Sequence, residues 1–136
     1  IIPPPQEIPQ TIKGWEINPG MLHQQLLEFK NRYGNPPIYI TENGCASPDV
    51  LDAEGRVSDP DRADYFRDYL SAASLAIEDG VNLKGYFAWS LMDNFEWAFG
   101  YDMRFGLFEV DFKTQERTLK KGANAYIDII KSQTDE

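Results

Sequence analysis

The chain has 136 residues, one domain's worth, with 22 acidic against 13 basic residues and a formal net charge of −9. Three Trp, seven Tyr and eight Phe are many for this length, and most lie between Tyr65 and Phe112. With no Lys/Arg cluster beyond Lys120-Lys121 and no apolar run near the ~20 residues that span a bilayer, the sequence excludes nucleic acid and membrane as partners.

The opening Ile1-Ile2-Pro3-Pro4-Pro5 carries neither the basic nor the apolar region of a signal peptide and reads as a chain entered partway through a loop. Together with a lone cysteine, Cys45, this favours a cytoplasmic setting without fixing one. Irregular, Pro-rich sequence continues to Ile17. Asn18-Pro19 then opens a helix whose apolar stripe is Leu22, Leu26, Leu27 and Phe29, and Gly34 ends it. After the break at Asn35-Pro36-Pro37, Ile38-Tyr39-Ile40-Thr41 has the β-branched, apolar character of a buried strand. A polar loop is expected from Asn43 to Ser58.

Asp59-Pro60 marks a second helix start, with Asp59 as N-cap. Phe66, Tyr69, Leu70, Ala73 and Ile77 keep helical spacing, and Gly80 supplies the stop. Gly85 to Ser90 is a second buried strand. An aromatic loop runs from Leu91 to Gly106, followed by Leu107 to Asp111 and a turn at Lys113-Thr114-Gln115. Leu119, Ala123, Tyr126, Ile127 and Ile130 mark the last helix. Helices alternating with apolar strands over short connections predict βαβ units and a parallel sheet. Two strands apolar on both faces cannot close such a sheet, so further strands and helices must come from elsewhere.

Glu42 directly follows the first strand, and a period of two places it on the face of Ile38 and Ile40. A carboxylate continuing an apolar face is costly unless it sits at the mouth beyond the strand ends, where parallel α/β folds build their sites. The alternative is a rim carboxylate that ion-pairs with a neighbour. Trp89 also lies near a strand's C-terminal end, and Asp93, Asn94, Glu96 and Trp97 follow within the next loop. Indole faces stack on sugar C–H faces and carboxylates accept hydroxyl hydrogen bonds, so a neutral polyhydroxylated ligand suits this set. A buried aromatic cluster with Asp93 as a turn residue fits the same residues. Asp52, Glu54 and Gly55 echo part of a calcium loop, but Val50 stands where a ligand is needed. His23 and Cys45 are the sole residues of their types, too few for structural zinc. No metal or other cofactor is expected.

The stretch Ile40-Thr41-Glu42-Asn43-Gly44 resembles the ITENG signature of glycoside hydrolase family 1, the β-glucosidase family. The block from Gly85 to Phe95 and on through Glu96-Trp97-Ala98-Phe99-Gly100-Tyr101 resembles that family's second signature. Arg104-Phe105-Gly106-Leu107, Asp111, Arg117-Thr118 and Lys120-Lys121 continue the likeness, and Gly14-Trp15-Glu16-Ile17 matches an upstream segment. The likeness runs from about Lys13 to Lys131.

The resemblance implies an α/β fold: the C-terminal portion of a (β/α)8 barrel, with its last two strands and their helices. Residues 1–136 would then be part of a single catalytic domain, incomplete without the N-terminal remainder of the barrel. It gives Glu42 the role of nucleophile and Trp89 that of the platform beneath the sugar. Glu96 would accept from the sugar's 4- and 6-hydroxyls, Trp97 would donate to the 3-hydroxyl, and Phe105 would line the pocket near C6. Asp93 and Asn94 would shape the loop, and Cys45 would be a small residue beside the site. The family's acid/base Glu lies in a TFNEP-type motif that does not occur here. The expected function is retaining hydrolysis of terminal β-D-glucosides, with this chain supplying one half of the catalytic pair. Glu96 near C6 would repel a substrate phosphate, so non-phosphorylated glucosides are expected. A non-catalytic carbohydrate-binding or complementation fragment is the alternative.

Overall fold

A computed structural model describes residues 8–134; the expected loop at Ile1–Pro5 lies outside them. Helix α1 spans Pro19–Tyr33. The Asn18 carboxamide accepts from the Met21 N–H at 3.3 Å, Pro19 occupies the first turn, and Gly34 closes the helix at φ 73°. Strand β1 (Ile38–Asn43) is longer than expected by two residues. The expected polar loop after it contains a small hairpin, β2 (Val50–Leu51) against β3 (Val57–Ser58). At its turn the Asp52 carboxylate accepts from the Glu54 and Arg56 N–H groups and ion-pairs with Lys121 at 2.5 Å, so the calcium-like spacing serves a turn.

Helix α2 runs Pro60–Glu78. Asp59 stands at its N-cap, yet its carboxylate makes no capping bond; it accepts instead from Arg62 Nε at 2.5 Å and the Gly122 N–H at 2.6 Å. Gly80, at φ 83°, turns the chain into β4 (Leu83–Ala88). The aromatic loop holds one 3-10 turn, Trp97–Phe99. A second hairpin follows, β5 (Phe108–Val110) against β6 (Arg117–Leu119), and then α3 (Ala123–Thr134). Leu119, expected on the last helix, belongs to β6, because Leu119 pairs with Phe108 across the hairpin.

Strands β1 and β4 pair in parallel with helices packed on one face. Leu26, Ala76 and Val81 cover Ile38, Ile40 and Leu83 at one end. At the other end Tyr65, Phe66, Tyr69, Leu107 and Ala123 cover Tyr86 and Ala88. Phe29 and Ile77, expected in the helical stripes, are exposed instead, since only the narrower part of each stripe meets the sheet. On the uncovered face Tyr39 and Phe87 are 57% and 56% exposed. The fold is a portion of a (β/α)8 barrel with no closed sheet among the described residues.

Candidate active site

Ile38 and Ile40 point toward the helices, but the β1–β4 register slips between Ile40 and Asn43. Asn43 Oδ1 accepts a hydrogen bond from the Tyr86 hydroxyl, which lies in the helix layer, so Asn43 rather than Glu42 resumes the helix-facing side. One extra residue therefore inverts the alternation. The expectation that Glu42 shares the face of Ile38 and Ile40 is corrected. The bulge turns Glu42 away from the helices, where its side chain is exposed and forms no ion pair among the described residues.

Beside it, the Trp89 N–H donates to the Asn43 carbonyl at 2.8 Å. Gly44 packs so tightly there that a Cβ would stand 1.8 Å from the Trp89 carbonyl oxygen. The Trp89–Ser90 peptide is cis. Beyond it, the Ser90 N–H donates to the Phe105 carbonyl at 3.1 Å and the Leu107 N–H donates to that of Ser90 at 2.8 Å. The two ends of the aromatic loop are thereby sewn together under Trp89.

At the loop's tip the Glu96 N–H donates to Gly100 O at 2.6 Å, closing a turn around the 3-10 segment. Trp97 takes φ 43°, a conformation uncommon for a bulky residue, and its side chain stands 82% exposed. The Glu96 carboxylate is held by Lys13 Nζ at 2.9 Å, a contact spanning 83 positions in sequence.

Beneath these residues lies a buried ionic framework. Arg62 donates to the carbonyls of Cys45 (2.8 Å), Phe105 (3.0 Å) and Arg104 (3.0 Å) as well as to Asp59. Lys120 Nζ lies 2.8 Å from Asp49 and 2.9 Å from Asp93, and Asp93 also accepts from the Gly106 N–H at 2.8 Å. Arg62, Lys120 and the Asp93 side chain are fully buried, so each charge depends on these partners. Burial raises the Asp49 carboxyl above its ordinary range despite the Lys120 ammonium beside it. Asp93 thus shapes the loop, as expected, and Asn94 bonds Ser90 Oγ and Met92 O. Arg62 was legible in principle. It falls on the buried helical spacing of Tyr65, Phe66, Tyr69 and Ala73, where an uncompensated charge does not survive.

Glu42, Trp89, Glu96, Trp97 and Phe105 line one open depression of about 560 Å³. Trp15, Asn43, Gly44 and Tyr65 join them without having been expected to. Trp15 arrives from the segment before α1, its ring 6.2 Å from that of Phe105. Burial and the neighbouring Tyr69 push the Tyr65 hydroxyl well up, so it stays protonated in ordinary buffers. Burial likewise pushes the Cys45 thiol up to about 11, which makes it an inert packing residue. The lining carries two carboxylates and neither Lys nor Arg among the described residues. Such a surface suits hydroxyl donors and the C–H faces of a neutral ring better than an anion.

The sequence profile of Glycosyl hydrolase family 1 matches residues 4–135. Beta-glucosidase A of Thermotoga maritima is 46% identical over 127 residues, covering 93% of this chain and 28% of the relative. The solved structure of a family 1 β-glucosidase from Thermotoga maritima, 46% identical, superposes with a TM-score of 0.89 over 94% of this chain and 29% of that one. A bifunctional β-D-glucosidase/β-D-fucosidase of Bifidobacterium breve is 48% identical over 122 residues (87% of this chain, 26% of the relative). A 6-phospho-β-galactosidase of Staphylococcus epidermidis is 48% identical over 128 residues (93% of this chain, 27% of the relative). The chain thus spans little more than a quarter of the length of these relatives. Matched along nearly its whole length and carrying both signature segments around one depression, the chain belongs to glycosyl hydrolase family 1.

Proposed function

We propose that this chain supplies the nucleophile and the sugar-binding loop of a retaining β-glycosidase acting on terminal, non-phosphorylated β-D-glucosides. The observation that carries this reading is the convergence of Glu42, Trp89, Glu96, Trp97 and Phe105 on one depression. Glu42 attacks the anomeric carbon while the bond to the aglycone oxygen breaks, giving a glycosyl-enzyme ester. Water then attacks the same carbon and returns the carboxylate. A second carboxyl group, ~5 Å away in a retaining enzyme, must protonate the leaving oxygen and later deprotonate the water. That group comes from the remainder of the barrel, which this chain does not contain.

Trp89 underlies the sugar ring, Trp97 offers its exposed indole N–H to a hydroxyl, and Glu96 accepts from hydroxyls. Phe105, buried beside Trp15, gives the pocket an apolar wall. The two lining carboxylates, with no Lys or Arg beside them in the lining among the described residues, favour an uncharged sugar over a phosphorylated one.

Covalent trapping of the complete enzyme tests the proposal. An activated 2-deoxy-2-fluoro-β-glucoside has a leaving group that departs without acid help, so it needs the nucleophile above all. A one-to-one adduct mapping to Glu42 is expected in the intact mass. A folded, glucose-binding protein that forms no adduct would leave a carbohydrate-binding role and overturn the catalytic one.

A further inference from the structure

Lys13 lies in the segment before α1 and touches its near neighbour Trp15 together with three residues far along the chain, Glu96, Phe99 and Phe105. Its side chain is 4% exposed. The ammonium stands 2.9 Å from Glu96 Oε1 and 4.2, 4.5 and 5.2 Å from the ring centroids of Trp15, Phe99 and Phe105. A buried ammonium needs its donors and charge answered, and one carboxylate oxygen with three aromatic faces does this. Three of these four partners, Trp15, Glu96 and Phe105, line the depression, whereas Lys13 does not. The fourth, Phe99, ends the 3-10 turn that carries Trp97.

We infer that Lys13 is a positioning and specificity residue for the sugar pocket, an inference that rests on the glycosidase reading. By engaging Oε1 it fixes the Glu96 carboxylate in one orientation and leaves Oε2 to the substrate. A carboxylate on three flexible torsions would otherwise turn freely and bind hydroxyls without a fixed geometry. The same contact docks the loop tip, and with it Trp97, onto the segment before α1. Discrimination for sugar hydroxyls at Glu96 is thereby set partly by a residue that never touches the sugar.

The test is steady-state kinetics of the complete enzyme on aryl β-D-glucoside and aryl β-D-xyloside, which differ by the hydroxymethyl arm. K13M should lower kcat/KM on the glucoside by about tenfold or more, mainly through KM, the scale of one charged hydrogen bond, and by a smaller factor on the xyloside, which keeps the 4-hydroxyl and lacks the 6-hydroxyl. K13R should recover most of the loss, and K13M should cost nothing further once E96A is in place. K13Q, which keeps the stem and a donor, is read in the same way should K13M fail to fold. Equal losses on both sugars, or an undiminished loss in the E96A background, would overturn the inference while the glycosidase reading stands. A wild-type enzyme inert on both sugars would overturn both.

Discussion

The Trp89 carbonyl oxygen occupies the space where any residue other than glycine at position 44 would carry its Cβ, 1.8 Å away. The residue two places after Glu42 is therefore keyed to the backbone of Trp89, the proposed sugar platform, and the two strand ends lock in one arrangement. Gly44→Ala must displace one backbone or the other. A misplacement of ~1 Å at a catalytic constellation costs about 10²-fold, so kcat/KM of the complete enzyme should fall by at least that much. Overpacking should add about 1–3 kcal/mol of destabilisation, measurable in urea. Wild-type kinetics in Gly44→Ala would show that the contact does not set the site.

Glu42→Gln keeps the size and shape of the side chain and removes the carboxylate proposed as the nucleophile. Turnover should fall on the order of 10⁴–10⁶-fold, as when an attacking group is deleted elsewhere. Glucose affinity measured by calorimetry should change little, and no fluoroglucoside adduct should form.

Lys120→Met leaves buried Asp93 with Arg104 alone at 3.2 Å and half-buried Asp49 with Arg62 alone at 3.6 Å. Removing one partner of a buried charge set costs about 3–5 kcal/mol, to be read from the urea midpoint of the complete enzyme. The loss should shrink when Asp93→Asn accompanies it, because the two residues act as a unit. Arg62→Met should be at least as damaging, since three loop carbonyls lose their donor with it.

Alkaline pH should weaken the fold in a definite window. The Cys45 thiol is raised from 9.0 unfolded to about 11 when buried, so the folded state binds the proton more tightly. Its contribution is fully present below pH 9 and is lost as pH rises toward 11. At ~1.4 kcal/mol per pKa unit that is roughly 2–3 kcal/mol. Tyr65 and Tyr86 are raised in the same direction by burial and extend the loss to higher pH. Cys45→Ala should flatten the decline between pH 9 and 11 in denaturation midpoints, and an unchanged slope would assign it to the tyrosines.

The isolated 136-residue chain should not hydrolyse cellobiose detectably. General acid assistance alone is worth roughly 10²–10⁴-fold, and the barrel that would position the substrate is not closed. Tyr39 and Phe87, exposed on the uncovered face, should also make this piece marginally stable and prone to associate. Turnover above background in a coupled glucose assay would contradict the expectation.

The amino-acid sequence by itself determined the helices, the two parallel strands, the family and five of the nine residues that line the depression. Those features are local: Asn18-Pro19 and Asp59-Pro60 start helices through their own backbone chemistry, and the β-branched run at Ile38–Thr41 makes a strand wherever it is covered. Only the tertiary structure decided which way Glu42 faces, because a one-residue bulge inverts strand parity without changing composition or spacing. It also decided that Asp59 would serve Arg62 and Gly122 rather than cap its helix, and that Lys13 would reach Glu96 across 83 positions. Each of these choices depends on a partner far along the chain. A periodic pattern records which face of an element is buried; it does not record what will be found on the other side.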